Sequence, residues 1–445
     1  MIISLRASAT ERVFMVLTLL YAGVMPCLPV PHSNEVAMLY PWWGKPIGIG
    51  NVYLHEIVFL AWIALYGRNF LVRVLLNPGF PARKTAILLV VLAIWCGLVS
   101  LTAPLFMLDI GRTLRLLVNC LMLFAVVRWT VQSNNLPIVT LIFGSLIGTM
   151  INVYLSLSYP LVVHEMFRMS GQNTPGVMMG IAVHLTAWLF LHADRFSHRM
   201  FALIAAVFFS VTCAFSYSRI GWFALGTGLI VWAYALLFAT SLNLPHIRSL
   251  RKFRLYLVPA IVFLLAIATV SPVTQSGLEK LYSLIELKIS QQGSSNSVRW
   301  AYVVGSSEIL QENPFGVGYS GFYDAMRGTE IYRSGKAADE ESIEDANPHA
   351  TFLWYATAGG VPGLFLNVIL FIMFMNNIKS GLRSAFSKPG RVFFILLAPV
   401  YLLIASSVPY LFNSLVLVVP TAFALGWGLR ARAQSQSPPP ALALK

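Results

Sequence analysis

Ser297-Val298-Arg299-Trp300, Asn313-Pro314-Phe315-Gly316-Val317-Gly318-Tyr319 and Asn347-Pro348-His349 fall in the run from Ser271 to Ala350, the only long stretch that a lipid bilayer could not hold. The sequence on either side of that run is apolar. An acidic patch (Asp339, Glu340, Glu341, Glu344, Asp345) separates the second motif from the third. A long polar segment between membrane helices, closing on a histidine, suits a site where water-soluble chemistry meets a lipid-borne substrate.

The chain has 445 residues, 57% of them hydrophobic and 11% charged, with a mean hydropathy of +0.72. Soluble domains carry about 25% charged residues, so the composition is that of an integral membrane protein. A net charge of +14 would suggest nucleic acid in a soluble protein. Here lysines and arginines that hold loops in the cytoplasm explain much of the excess. Cys27, Cys96, Cys120 and Cys213 sit in apolar segments without disulfide or metal-thiolate spacing and read as packing residues. Arg6 and Arg12 precede an apolar run from Val13, as in a signal peptide, but no small-x-small cleavage site follows. The expectation is an uncleaved first helix.

A helix needs about 20 apolar residues to cross the hydrocarbon core. On that measure, spans are expected near 13–31, 50–67, 84–103, 110–131, 136–158, 174–193, 199–217, 219–240, 253–271, 350–376, 391–408 and 410–430. The fold class is therefore all-α: a polytopic membrane protein of about 12 spans with one large helical loop. The expected division is 1–271 for the first nine spans, 272–349 for the loop or lid, 350–432 for the last three and 433–445 for a disordered tail. Within the loop, Ser297 to Gln311 has helical spacing, and Asn313-Pro314 with Gly316-Val317-Gly318 should end that helix in a turn.

Orientation follows from the basic residues. With the N-terminus inside, the cytoplasmic links collect Arg68, Arg73, Arg83 and Lys84; Arg128; Arg195 and Arg199; Arg248, Arg251, Lys252 and Arg254; and Lys379, Arg383, Lys388 and Arg391. The links between spans 3 and 4 and between 11 and 12 have no basic residue. Both termini are then cytoplasmic and the long loop is exterior.

Arginines at exterior helix ends stand out against that rule. Arg168 follows span 5, Arg219 opens span 8, Arg299 and His349 bracket the loop, and Arg112 and Arg115 share a face of span 4. Singly, each arginine also fits a plainer role, snorkelling to headgroups, and His349 could cap the next helix. Convergent guanidinium groups at a lipid surface suit a diphosphate, which each can grip with bidentate charge-assisted hydrogen bonds. The acidic patch admits two readings: a solvated segment, or an oxygen-ligand site for a divalent cation. It lacks the glycine spacing of a calcium loop.

Together these motifs resemble the O-antigen ligase and polysaccharide polymerase superfamily of bacterial inner-membrane glycosyltransferases. The resemblance rests on Arg168 with Gln172-Asn173-Thr174-Pro175-Gly176, Ser216-Tyr217-Ser218-Arg219, Ser297-Val298-Arg299-Trp300, Pro314 to Tyr319, and Asn347-Pro348-His349 followed by Gly359-Gly360-Val361-Pro362-Gly363. It covers roughly residues 160 to 365. The family often has Asn after the histidine, where this chain has Ala350.

The resemblance implies a GT-C-like architecture and a periplasm-facing site that moves a glycan from undecaprenyl diphosphate to an acceptor hydroxyl. It implies inversion at the anomeric carbon, no metal and no cofactor. His349 would be the catalytic base, and Arg219, Arg299 and Arg168 would hold the diphosphate. Arg112, Arg115 and Tyr319 are further candidates. The acceptor is either lipid A-core, making a ligase, or a lipid-linked glycan, making a polymerase of O-antigen or exopolysaccharide; a protein acceptor is a third choice. The competing class is a transporter or flippase of lipid-linked oligosaccharide, which would place charges deep in the bundle. Glu56, His184 and Asp109 are the few candidates for such a path.

Overall fold

The computed structural model describes residues 9–28, 54–67, 83–132, 135–158, 174–193, 195–214, 216, 218–238, 292–334 and 350–384, with 395, 396, 399, 400 and 402. Every regular element among the described residues is helical. In chain order they are α1 (Ala9–Val24, continued as a 3-10 turn over Met25–Cys27), α2 (Leu54–Trp62, continued as a π-turn over Ile63–Gly67), α3 (Arg83–Ser100), α4 (Phe106–Gln132), α5 (Leu136–Ser158), α6 (Thr174–His192), α7 (Phe196–Ala214), α8 (Arg219–Phe238), α9 (Gln292–Glu312), α10 (Phe322–Gly328), α11 (Glu330–Arg333) and α12 (Thr351–Ser384). The expected spans 1 to 8 correspond to α1 to α8 and the tenth to α12. Spans 9 and 12, almost all of span 11 and the acidic patch lie outside the described residues.

Six of these helices are long and apolar enough to cross a membrane. The outer face of α3 (Val91, Ile94, Leu98) and that of α12 (Val361, Phe365, Ile372) leave large apolar side chains exposed, as lipid-facing surfaces do. This is a multi-pass membrane protein. Cys27, Cys96 and Cys213 are free and buried, which agrees with a packing role.

Helices in lipid gain little from burying apolar surface against one another, so small residues that let backbones approach carry much of the packing. Two Gly-x-x-x-Gly pairs do this here. On α5, a Cβ at Gly144 or Gly148 would strike the carbonyls of Leu20 and Val24, so α1 and α5 run parallel in close contact. On α6, Gly176 and Gly180 meet Gly221 and Ala224 of α8, again in parallel. Asn152 seals the first pair by donating to the Cys27 carbonyl at 2.8 Å. Trp232 Nε1 seals the second on the Val183 carbonyl at 3.2 Å.

Contacts at the helix ends sort the bundle into two ends. Glu11 pairs with Arg128 at 3.0 Å, and Asn135 donates to the His192 carbonyl at 3.3 Å. The start of α1, the α4–α5 link and the end of α6 therefore share one end, with Arg128, Arg195 and Arg199. The α3–α4 turn and the starts of α6, α8 and α12 lie at the other. Among the described residues, these helices thus alternate in direction.

Candidate functional site

The site region begins where α9 stops. Pro314 cannot continue a helix, the Asn313 N–H closes the last turn on the Ile309 carbonyl at 2.7 Å, and Gly316 donates back to Asn313 at 2.9 Å. Gly316 and Gly318 adopt φ of +97° and +78°, a region open mainly to glycine. The helix expected over 297–311 is thus present and longer, and it ends at the expected turn.

This turn is threaded into a break in α12. Gly360 has φ 65° and ψ −157° inside that helix, two residues before Pro362. The break strands backbone groups that must find partners, and the turn supplies them. Val317 donates to Thr357 O at 2.9 Å and Gly318 to Ala358 O at 3.1 Å, while the Val361 N–H is accepted by Pro314 O at 2.8 Å. Trp95 Nε1 of α3 donates to Gly359 O at 2.6 Å. Irregular backbone at this depth is tolerated because protein covers it. The Pro314–Tyr319 and Gly359–Gly363 motifs are therefore two halves of one junction.

Asp109, on the first turn of α4, fastens the junction from the other side. Its carboxylate accepts from Tyr319 N at 2.7 Å and from Ser320 N at 2.9 Å. Ser320 Oγ in turn accepts from Leu105 N at 3.0 Å. Asp109 has no exposed surface. Tyr319 stacks on Trp354 with ring centroids 5.5 Å apart and meets Tyr355 edge-on at 6.5 Å. Arg112 lays its guanidinium 5.4 Å from the Trp354 ring centroid. Burial pushes the Tyr319 phenol well above its ordinary pKa, with nearby Cys96 adding to the shift, so the hydroxyl stays neutral.

Beyond the junction the loop builds a small core of its own from Tyr302, Ile309, Phe322 and Met326. The Glu308 carboxylate accepts from Glu330 N at 2.7 Å and ties α9 to α11. Trp300 and Phe315 point outward, each 67% exposed.

Of the sequence-derived candidates, the structure gathers Arg112 and Tyr319 around Trp354, with Arg115 one turn further along α4. Arg219 is the first residue of α8. Ser218 caps that helix by accepting from Gly221 N at 3.0 Å, and Ser216 Oγ donates to the Cys213 carbonyl at 2.7 Å to shape the turn before it. In Ser216-Tyr217-Ser218-Arg219 the serines thus set the backbone. They leave Arg219 at a helix start, where backbone N–H groups also favour an anion. Arg299 lies in the first half of α9. The side chains of Arg219 and Arg299, like Arg168 and His349 altogether, lie outside the described residues. His184 Nε2 lies 3.0 Å from both the Ala224 carbonyl and Thr227 Oγ1 and so ties α6 to α8. Among the described residues no cluster of His, Cys, Asp or Glu could hold a metal.

The sequence offers Asp109 only as a candidate charge for a deep path, whereas in the structure its carboxylate holds the loop backbone. The signal in the sequence is a carboxylate in the first turn of a helix, after a link with no basic residue.

Residues 203–368 match the O-antigen ligase family. The match supports the superfamily read from the motifs. It runs from α7 into α12, so it takes in Arg219, Arg299, His349 and both halves of the junction, and leaves out Arg168, Asp109 and Arg112. An O-antigen ligase-like segment therefore holds the loop and the helices that flank it. No curated protein matches the chain.

Proposed function

We propose that the chain is a glycosyltransferase of the inner membrane that moves a glycan from undecaprenyl diphosphate to an acceptor hydroxyl on the periplasmic face. The observation that carries this reading is the family match over a segment in which α8 and α12 start at one end of the bundle. Arg219 opens α8 there, and α12 opens there two residues after His349.

In this mechanism His349 takes the proton from the acceptor hydroxyl. The freed oxygen pair forms a bond to the anomeric carbon from the side opposite the lipid. The bond from that carbon to the diphosphate oxygen breaks, its electrons pass to the leaving diphosphate, and the configuration inverts. The growing negative charge is met by Arg219, Arg299 and Arg168, whose guanidinium groups need no metal to do so. The proton on His349 then leaves to water.

The test is transfer by the purified protein in nanodiscs, supplied with a polyprenyl-diphosphate glycan and each acceptor in turn. Absence of transfer to every acceptor, from a protein shown to bind the donor, would remove the enzyme reading in favour of a carrier. Glycan banding of a deletion strain separates the two versions. Ligase loss leaves free core with polymer on its lipid, whereas polymerase loss leaves at most single repeats.

A further inference from the structure

The geometry points to Asp109 as the residue that positions the lid helix against the start of α12, an inference that rests on the glycosyltransferase reading for its catalytic consequence. Three observations carry it. Both carboxylate oxygens are used, one on Tyr319 N and one on Ser320 N, across 210 residues of sequence. Gly318, just before them, leaves no room for adjustment: a Cβ there would lie 2.6 Å from Ala103 Cβ and 2.7 Å from Asp109 Oδ2. The segment so held is the direct continuation of α9, which carries Arg299, and its backbone is bonded to α12, which opens just after His349.

A carboxylate is the side chain this place requires. Two successive N–H groups point at it, and an ionised carboxyl is acceptor-only. An amide of the same shape has one acceptor and one donor, so Asp109→Asn leaves one N–H facing another N–H. The three backbone bonds between the turn and α12 do not involve Asp109. The variant should therefore remain folded and inserted, while the lid loses its fixed relation to α4. Reacting groups held on separate elements tolerate little misplacement. Donor binding, spread over several arginines, should suffer less than the chemical step.

The experiment uses the full chain in nanodiscs, with Asp109→Asn and, as an independent route to the same displacement, Gly318→Ala. Transfer kinetics are measured with a polyprenyl-diphosphate glycan. Spin labels at Thr102→Cys and Ser307→Cys, both exposed, report the distance between the α3–α4 turn and the lid. Expected is a fall in kcat of about 10- to 100-fold, a donor KM within about threefold, and a broadened distance distribution in both variants. A wild-type distribution and a wild-type kcat overturn the assignment. So does a loss of folded protein whose surviving fraction turns over normally, which would make Asp109 merely structural. If the wild type itself transfers nothing, the glycosyltransferase reading fails separately. The distance measurement then decides alone whether Asp109 anchors the lid, broadening in its favour and an unchanged distribution against it.

Discussion

Gly318 donates its backbone N–H to Ala358 O at 3.1 Å, the acceptor that an N–H four residues on would have filled had position 362 not been proline. The break in α12 is therefore a socket, and the loop turn fills it.

A methyl group at Gly360 should show how much the socket matters. Its φ of +65° is costly for alanine, and a Cβ would strike Pro314 O and the Phe315 carbonyl carbon. Gly360→Ala should lose at least about 1–3 kcal/mol, seen as a lower Tm or poor yield of folded protein. Gly226→Ala meets nothing within 4 Å and, lying mid-helix, should be neutral or slightly stabilising.

The arginines should separate by role. Arg112 sits over the Trp354 ring, a contact worth about 0.5–2 kcal/mol that an ammonium partly reproduces. Arg112→Lys is therefore expected to keep donor transfer within about threefold, a change near 0.6 kcal/mol by the usual arithmetic. A large loss with normal folding would return Arg112 to the diphosphate site.

Arg219 and Arg299 should behave oppositely. Lysine cannot make bidentate contacts to phosphate, and a charged hydrogen bond is worth about 1.5–3 kcal/mol. Each Arg→Lys variant should lose about tenfold or more in turnover with the lipid diphosphate. Full activity of both would exclude them as donor ligands.

His349→Ala separates a base from a helix cap in one preparation. Loss of a general base costs roughly 10²- to 10⁴-fold, whereas loss of a cap costs about 0.5–2 kcal/mol of stability. The expected protein is well expressed, still binds the donor and does not transfer. Wild-type rate should fall as pH drops, because the protonated imidazole can no longer accept the hydroxyl proton. Normal transfer by a folded His349→Ala protein is the result that would sink this mechanism.

Orientation can be checked by cysteine labelling. Ser334→Cys, on the exposed end of α11, should react from outside intact spheroplasts, and Ser249→Cys should not. Reversed labelling would place the loop in the cytoplasm, away from the lipid-linked donor proposed here.

The sequence alone determined the all-α class and located helices α1 to α8 and α12, six of them long and apolar enough to cross a membrane, because long apolar runs between polar links have few other outcomes. It also determined the turn after α9, since Pro314, Gly316 and Gly318 interrupt a helix whatever surrounds them. Only the tertiary structure decided what that turn is for. Hydrogen bonds between Tyr319 and Asp109, or between Gly318 and Ala358, join residues far apart in the chain and leave no period or spacing to read. The bonds to α12 exist because its break leaves backbone groups without helical partners, and the loop turn is the segment that satisfies them.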